Sequence, residues 1–146
     1  MKIPRMTVIT LGVTDLAGAT GFYERVLDTA PNTANDGVTF FELPGTWISL
    51  YPLTDLAKDI APNVVISSGG FNGMTLAYNA RTKEEVMAVI DRALEAGALV
   101  HRPPHDTFWG GFSGYFADPD GHYWEVAWGP MFEFSDTGEL RFKSAS

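Results

Sequence analysis

Ile9-Thr10-Leu11-Gly12-Val13-Thr14-Asp15-Leu16, followed by Gly21-Phe22-Tyr23-Glu24-Arg25-Val26-Leu27, passes from a β-branched run to apolar side chains at three- and four-residue steps. The first part, taken back to Thr7, reads as a strand over 7–13, because Thr, Val and Ile suit a pleated, half-buried surface. Asp15 stands where a helix N-cap belongs, its carboxylate able to accept from the unpaired N–H groups of the first turn. Beyond it Leu16, Ala19, Phe22, Tyr23, Val26 and Leu27 form the apolar stripe of an amphipathic helix. Gly18 and Gly21 weaken that helix on propensity and are expected to let it approach a sheet closely. Pro31 and Asn32 mark its exit.

Outward from this unit, Val38 to Leu43 and Trp47 to Tyr51 read as two hairpin strands around a Pro44-Gly45 turn. Asn35-Asp36-Gly37 is a further turn, which leaves room for a short strand around 29–34. Residues 53–60 fit a short helix. Residues 62–70, ending in Ser67-Ser68-Gly69-Gly70, are the most linker-like part of the chain.

The order then repeats. Residues 74–79 read as a strand, and Thr82 with Glu85 is a capping box. Val86, Val89, Ile90, Ala93 and Leu94 make a second apolar stripe, closed by Gly97 at the position that favours a left-handed backbone. A strand is expected over 98–102, broken by Pro103-Pro104. Residues 111–117 and 123–128 are strands on either side of the Asp118-Pro119-Asp120-Gly121 turn. The tail, 129–146, carries Phe132, Phe134 and Phe142 among charges and is expected to pack on the surface or on a second subunit.

Strand, helix, then about three strands thus occurs twice, with about 67 residues from Asp15 to Thr82. An internal duplication is the economical explanation. The expected fold class is α+β: one domain over 1–146, with tandem βαβββ modules at about 6–60 and 71–128. Each module leaves one sheet face uncovered, and two such faces curled together would enclose a cavity suited to a small molecule.

Two motifs carry a resemblance. The opening stretch resembles the LxVxDLxxxxxFYxxxLG start of vicinal oxygen chelate proteins, the glyoxalase and bleomycin-resistance family. Tyr115-Phe116-Ala117-Asp118-Pro119-Asp120-Gly121-His122-Tyr123-Trp124-Glu125-Val126 is similar to their closing FxDPDGxxxE strand–turn–strand. The resemblance spans roughly 7–128, and the Phe108-Trp109-Gly110-Gly111 loop is a narrower likeness to glyoxalase-like proteins of mostly unassigned activity. It implies the fold without choosing among lyases, isomerases, dioxygenases, thiol transferases and metal-free sequestering proteins. It also implies a homodimer.

Metal-dependent relatives present His or carboxylate side chains from the inner faces of four strands, because a divalent ion needs converging lone pairs with open positions for substrate. The His expected seven residues before Asp15 is Val8, and its counterpart in the second module is Thr75. The carboxylate position of the first module falls near Ser49. Glu125 alone matches the ligand pattern. One carboxylate cannot hold a catalytic metal, so no cofactor is expected, and a divalent metal enters only through a rebuilt site using Glu125 and His105.

The histidines are His101, His105 and His122. His122, after Asp-Pro-Asp-Gly, is expected to face solvent. His101 and His105 are four apart, but Pro103-Pro104 forbids the helix that would put both on one face, and ordinary loop histidines are expected. On its strand Glu125 shares a face with Tyr123 and Ala127, opposite Trp124, Val126 and Trp128. It reads either as a general base or polar anchor for a ligand, or as a leftover carboxylate bonded to Thr10, Ser49 or Thr75. Trp109 beside two glycines reads as a pocket wall over a planar ligand, or as the side chain that fills a gap in a rigid turn.

Bulk properties narrow the partners. Net charge is −8, from 10 Lys+Arg against 18 Asp+Glu, and the cations are scattered, which argues against nucleic acid. Cys is absent, excluding disulfides, thiolate metal sites and a cysteine nucleophile. No apolar run is long enough for a membrane helix and no export signal is visible, so a cytoplasmic location without membrane association is expected. The functional expectation is a protein binding a small, partly aromatic or apolar molecule without the usual metal. The ligand contacts would come from Thr10, Ser49, Tyr51, Thr75, Trp109 and Tyr123, with Glu125 as the catalytic candidate. The alternative is a lyase, isomerase or dioxygenase-type enzyme that uses a rebuilt metal site or Glu125 as base.

Overall fold

The β-branched run around Ile9 forms β1, Val8–Val13, and Asp15 caps the helix that follows, accepting from the Gly18 amide at 3.0 Å. That helix, α1, spans Leu16–Leu27 and buries Ala19, Phe22, Tyr23 and Val26, the core of the expected stripe. These come from a computed structural model that describes residues 1–144 and divides into two units, Met1–Asn72 and Gly73–Ser146.

In the first unit, β2 (Thr39–Phe41) and β3 (Trp47–Pro52) complete a sheet of order β1-β3-β2, and α2 covers Leu53–Ile60. β1 runs parallel to β3, and β2 antiparallel to it. The short strand expected around 29–34 reduces to one bridge between Asn32 and Phe40. Thr20 and Thr39 share a hydroxyl hydrogen bond at 2.8 Å, and the Tyr23 and Phe41 rings lie 6.4 Å apart, so α1 covers the Thr39/Phe41 face. Leu11, Val13, Phe41 and Leu50 are buried there, each side chain contributing about 1.5–3 kcal/mol of apolar burial.

The expected role of the two helix glycines is not met. A Cβ on Gly21 would meet nothing, and one on Gly18 would meet only the capping Asp15. The close approach lies instead at Gly12, where a Cβ would come 2.6 Å from Leu53 Cδ1. It is α2, folding back over β1, that needs the missing side chain.

In the second unit, β4 (Leu76–Asn79), α3 (Lys83–Glu95), β5 (Leu99–Asp106), β6 (Phe112–Ala117) and β7 (Tyr123–Trp128) repeat the plan. The sheet order is β4-β7-β6-β5, with β4 parallel to β7 and the other pairs antiparallel. Set against β1-β3-β2 and its Asn32 bridge, this is the same topology, as a duplication requires. Thr82 caps α3 by accepting from Glu85 N at 3.1 Å, but the Glu85 carboxylate returns to the Arg81 amide at 2.9 Å, one residue before the reciprocal partner expected of a capping box. Gly97 takes φ +107° just past the helix end.

Pro103-Pro104 does not end β5. The strand continues to Asp106, with register shifts between Val100 and Arg102 and between Arg102 and His105. β5 is an edge strand, where a missing N–H costs no ladder bond, and bulges absorb the two prolines. Gly114 on β6 accommodates the displaced backbone: a Cβ there would lie 2.9 Å from the Arg102 carbonyl oxygen. The tail folds into a hairpin, β8 (Phe132–Phe134) with β9 (Leu140–Phe142), closed by Lys143 N donating to the Met131 carbonyl at 2.8 Å. Of the tail 129–146, residues 145–146 lie outside the described residues.

Candidate functional site

The second-unit sheet has one face under α3 and one opposite it. Three contacts identify the helix side: the Tyr78 hydroxyl donates to Glu85 on α3, and the Lys83 ammonium sits 5.6 Å from the Phe112 ring centre and 5.5 Å from that of Trp128. Trp124 and Phe116, stacked with centroids 6.1 Å apart, and the buried Val126 belong to the same face by strand alternation. Tyr123, Glu125 and Ala127 therefore occupy the other face, as their spacing requires.

On that face Glu125 sits directly across from Tyr115 on β6 and from Ala77 on β4. The Tyr115 hydroxyl donates to Glu125 Oε2 at 3.0 Å. Burial, then the hydrogen bond to Glu125 and its charge, push the Tyr115 phenol above its ordinary pKa, with Arg102 pulling the other way. The phenol is thus held protonated as a donor. Glu125 and Tyr115 are both half-buried, leaving the second carboxylate oxygen for another partner.

Tyr115 is the neighbour of Glu125 that the sequence reading missed. The signal was present: counting outward from the Asp118–Gly121 turn pairs Ala117 with Tyr123 and hence Tyr115 with Glu125. Of the partners expected for Glu125, Thr10 and Ser49 belong to the first unit and Thr75 to the second. Thr10 and Ser49, adjacent across β1 and β3, bond to each other at 2.5 Å. They lie on the first-unit face away from α1, where Phe40 and Trp47 also meet edge to face at 6.1 Å. Tyr51, half-buried, shares that alternation. Thr75 is exposed just before β4.

His101 lies on β5, within the strand expected over 98–102, whereas His105, expected in a loop after the prolines, lies on the same strand. The His101 ring lies 5.0 Å from that of Tyr123, while His105 Nδ1 is 3.0 Å from the Pro103 carbonyl. His122 is half-buried rather than solvent-facing, because the turn folds around the Asp118 carboxylate, which accepts from the His122 amide at 2.8 Å. Among the described residues no three His, Asp or Glu side chains are grouped to hold a metal ion.

Trp109 stands in a tight turn. Thr107 N donates to the Gly111 carbonyl at 3.0 Å, and Gly111 N to Thr107 Oγ1 at 2.9 Å. Phe108 projects fully into solvent while the Trp109 ring lies against Gly111 and Gly129, each of which would clash with it if it carried a Cβ.

Residues 5–126 match the family described as the Glyoxalase/Bleomycin resistance protein/Dioxygenase superfamily. The chain is 30% identical over 126 residues to the metallothiol transferase FosB of Shouchella clausii, covering 86% of this chain and 80% of that protein. A glyoxalase-related enzyme from Fulvimarina pelagi superposes with a TM-score of 0.85 at 33% identity, over 97% of this chain and all of that one. Lactoylglutathione lyase from Agrobacterium tumefaciens shares the fold, with a TM-score of 0.66 at 23% identity over 88% and 96% of the two chains. No helix among the described residues is long and apolar enough to cross a membrane. The chain belongs to the glyoxalase, bleomycin resistance and dioxygenase superfamily.

Proposed function

We propose that this chain binds a small, partly aromatic or apolar molecule and does so without the metal that many relatives use. The observation that carries this reading is the chemistry at the positions where metal-dependent relatives place ligands. Val8 has no lone pair, Thr75 and Ser49 offer neutral hydroxyls, and only Glu125 is a carboxylate. One Glu125 oxygen already accepts from Tyr115. A divalent ion bound by so few donors would keep most of its water shell, so this set does not fit the metal. What remains on the second-unit face suits an organic ligand: a carboxylate oriented by a phenol, with Tyr123 and the small Ala77 and Ala127 around it. Glu125 is the polar anchor in this reading, and aromatic side chains supply the contact area.

A second reading has one observation in its favour. The relationship to a protein named a metallothiol transferase makes metal-assisted chemistry a family precedent, and Glu125 is the one residue that fits the expected ligand pattern. Under that reading a metal site would be rebuilt around Glu125 with His105. Elemental analysis of untagged protein, paired with Glu125→Ala, separates the two. Substoichiometric metal unchanged by the substitution supports the metal-free binder. Near-stoichiometric metal lost in the variant sinks it.

A further inference from the structure

A cleft of about 320 Å³ opens in the second unit between the end of β7, the start of α3 and the β8–β9 hairpin. Trp128, Phe132 and Phe134 wall it, and Arg81, Glu133 and Lys143 supply its charges. Most of this wall lies beyond residue 126, where the family match ends. Trp128 is on the α3 side of the sheet, so the cleft is separate from the Glu125 face.

We propose that this cleft binds a small aromatic carboxylate, its ring against the Trp, Phe and Phe wall and its carboxylate held by Arg81 and Lys143. The charge pattern selects the anion. In a chain of net charge −8, two cations meet here, and among the described residues neither side chain is ion-paired. Glu133 adds one carboxylate to the cleft, because Arg141 across the hairpin is paired with Glu139 at 3.9 Å, so two cations stand against one anion. Lys83, near Trp128, is already paired with Asp106 at 3.1 Å. The uncompensated charge of the cleft is therefore positive.

The Arg81 guanidinium is also positioned in advance. Its Cζ lies 4.4 Å from the Phe134 ring centre, a cation–π contact that fixes the planar fork beside the aromatic wall. A carboxylate accepts two parallel N–H bonds from such a fork, and the attached ring then falls against the same wall. The volume is at the lower end of the about 300–1,000 Å³ usual for ligand sites, which favours a single-ring ligand.

The test is a nuclear magnetic resonance titration of the full chain with benzoate, benzyl alcohol, acetate and benzylamine. Benzoate is expected to bind saturably, shifting the amides of 80–81, 129 and 131–134, and to bind about tenfold more tightly than the neutral alcohol. Acetate, lacking the ring, and benzylamine, of the wrong sign, are expected to bind more weakly still. Arg81→Gln and Lys143→Gln, both at exposed side chains, are each expected to weaken benzoate about tenfold. Phe134→Leu retains both cations and is expected to weaken benzoate but not acetate. Equal binding of benzoate and benzyl alcohol, shifts confined to residues 115 and 125, or no saturation by about 10 mM benzoate overturns the proposal. None of these outcomes depends on the metal content that tests the Glu125 reading.

Discussion

Tyr115 and Glu125 face each other across the β6–β7 pair, and the phenol donates to Glu125 Oε2 at 3.0 Å. The bond fixes which carboxylate oxygen is free and keeps a half-buried charge satisfied. Removing either partner leaves the other short of a hydrogen bond, whereas removing both leaves no orphan. Tyr115→Phe and Glu125→Ala are therefore expected to be non-additive. Each single change should cost about 1 kcal/mol, with a coupling of about 0.5–1.5 kcal/mol in a double-mutant cycle of denaturant unfolding. Strict additivity would show that the pair is not energetically joined.

The second tyrosine–glutamate pair lies on the α3 side and sets an alkaline limit. Burial, then the hydrogen bond to Glu85 and its charge, push the Tyr78 phenol from 10.0 to about 12, with Arg81 and Arg92 opposing. Below pH 10 the folded and unfolded chains both keep this proton. Between about 10 and 12 the folded chain retains it and the unfolded chain releases it, so the stabilisation falls as pH rises through that window. Tyr115, also raised, contributes with the same sign. Stability should decline above pH 10, and Tyr78→Phe should flatten that decline, as followed by unfolding midpoints alongside an ultraviolet tyrosinate titration.

The helix cap offers a cleaner local test. Thr82 Oγ1 accepts from Glu85 N, while the Glu85 carboxylate holds the Arg81 amide and the Tyr78 hydroxyl. Thr82→Ala is expected to cost about 1 kcal/mol and Thr82→Ser much less, because only the hydroxyl does the capping. A thermal melt resolves the two, and equal losses would mean the methyl group's packing dominates.

Much of this architecture was legible because it rests on local rules. The Asp15 and Thr82 caps, the helix over 53–60 and the strand over 123–128 follow from spacing and turn chemistry. Long-range pairing decided what was missed. Whether Pro103-Pro104 ends a strand depends on β5 being an edge strand, and on Gly114 making room across the pair, which no window around the prolines reveals. The partner of Glu125 likewise comes from the neighbouring strand, and only counting register through the turn finds it. The charged cleft eluded the reading because Arg81 and Lys143 are far apart in sequence and are joined by the folding of the tail.

Trp109 and Gly111 show why the Trp-Gly-Gly turn takes its form. A Cβ on Gly111 would stand 1.9 Å from Trp109 Cζ3 and 2.6 Å from the Trp128 carbonyl oxygen. The ring could swing away at the loss of its packing against Gly129, but the carbonyl belongs to β7 and cannot move without disturbing the strand. Gly111→Ala is thus expected to destabilise by about 1–3 kcal/mol or more and to change Trp109 fluorescence. Trp109→Ala combined with Gly111→Ala should be less damaging than the sum of the single changes, because the ring clash is gone, yet still below wild type, because the Trp128 carbonyl remains. Full rescue in the double variant would place the whole constraint on the ring, and simple additivity would mean that the two residues do not share the space the geometry assigns them.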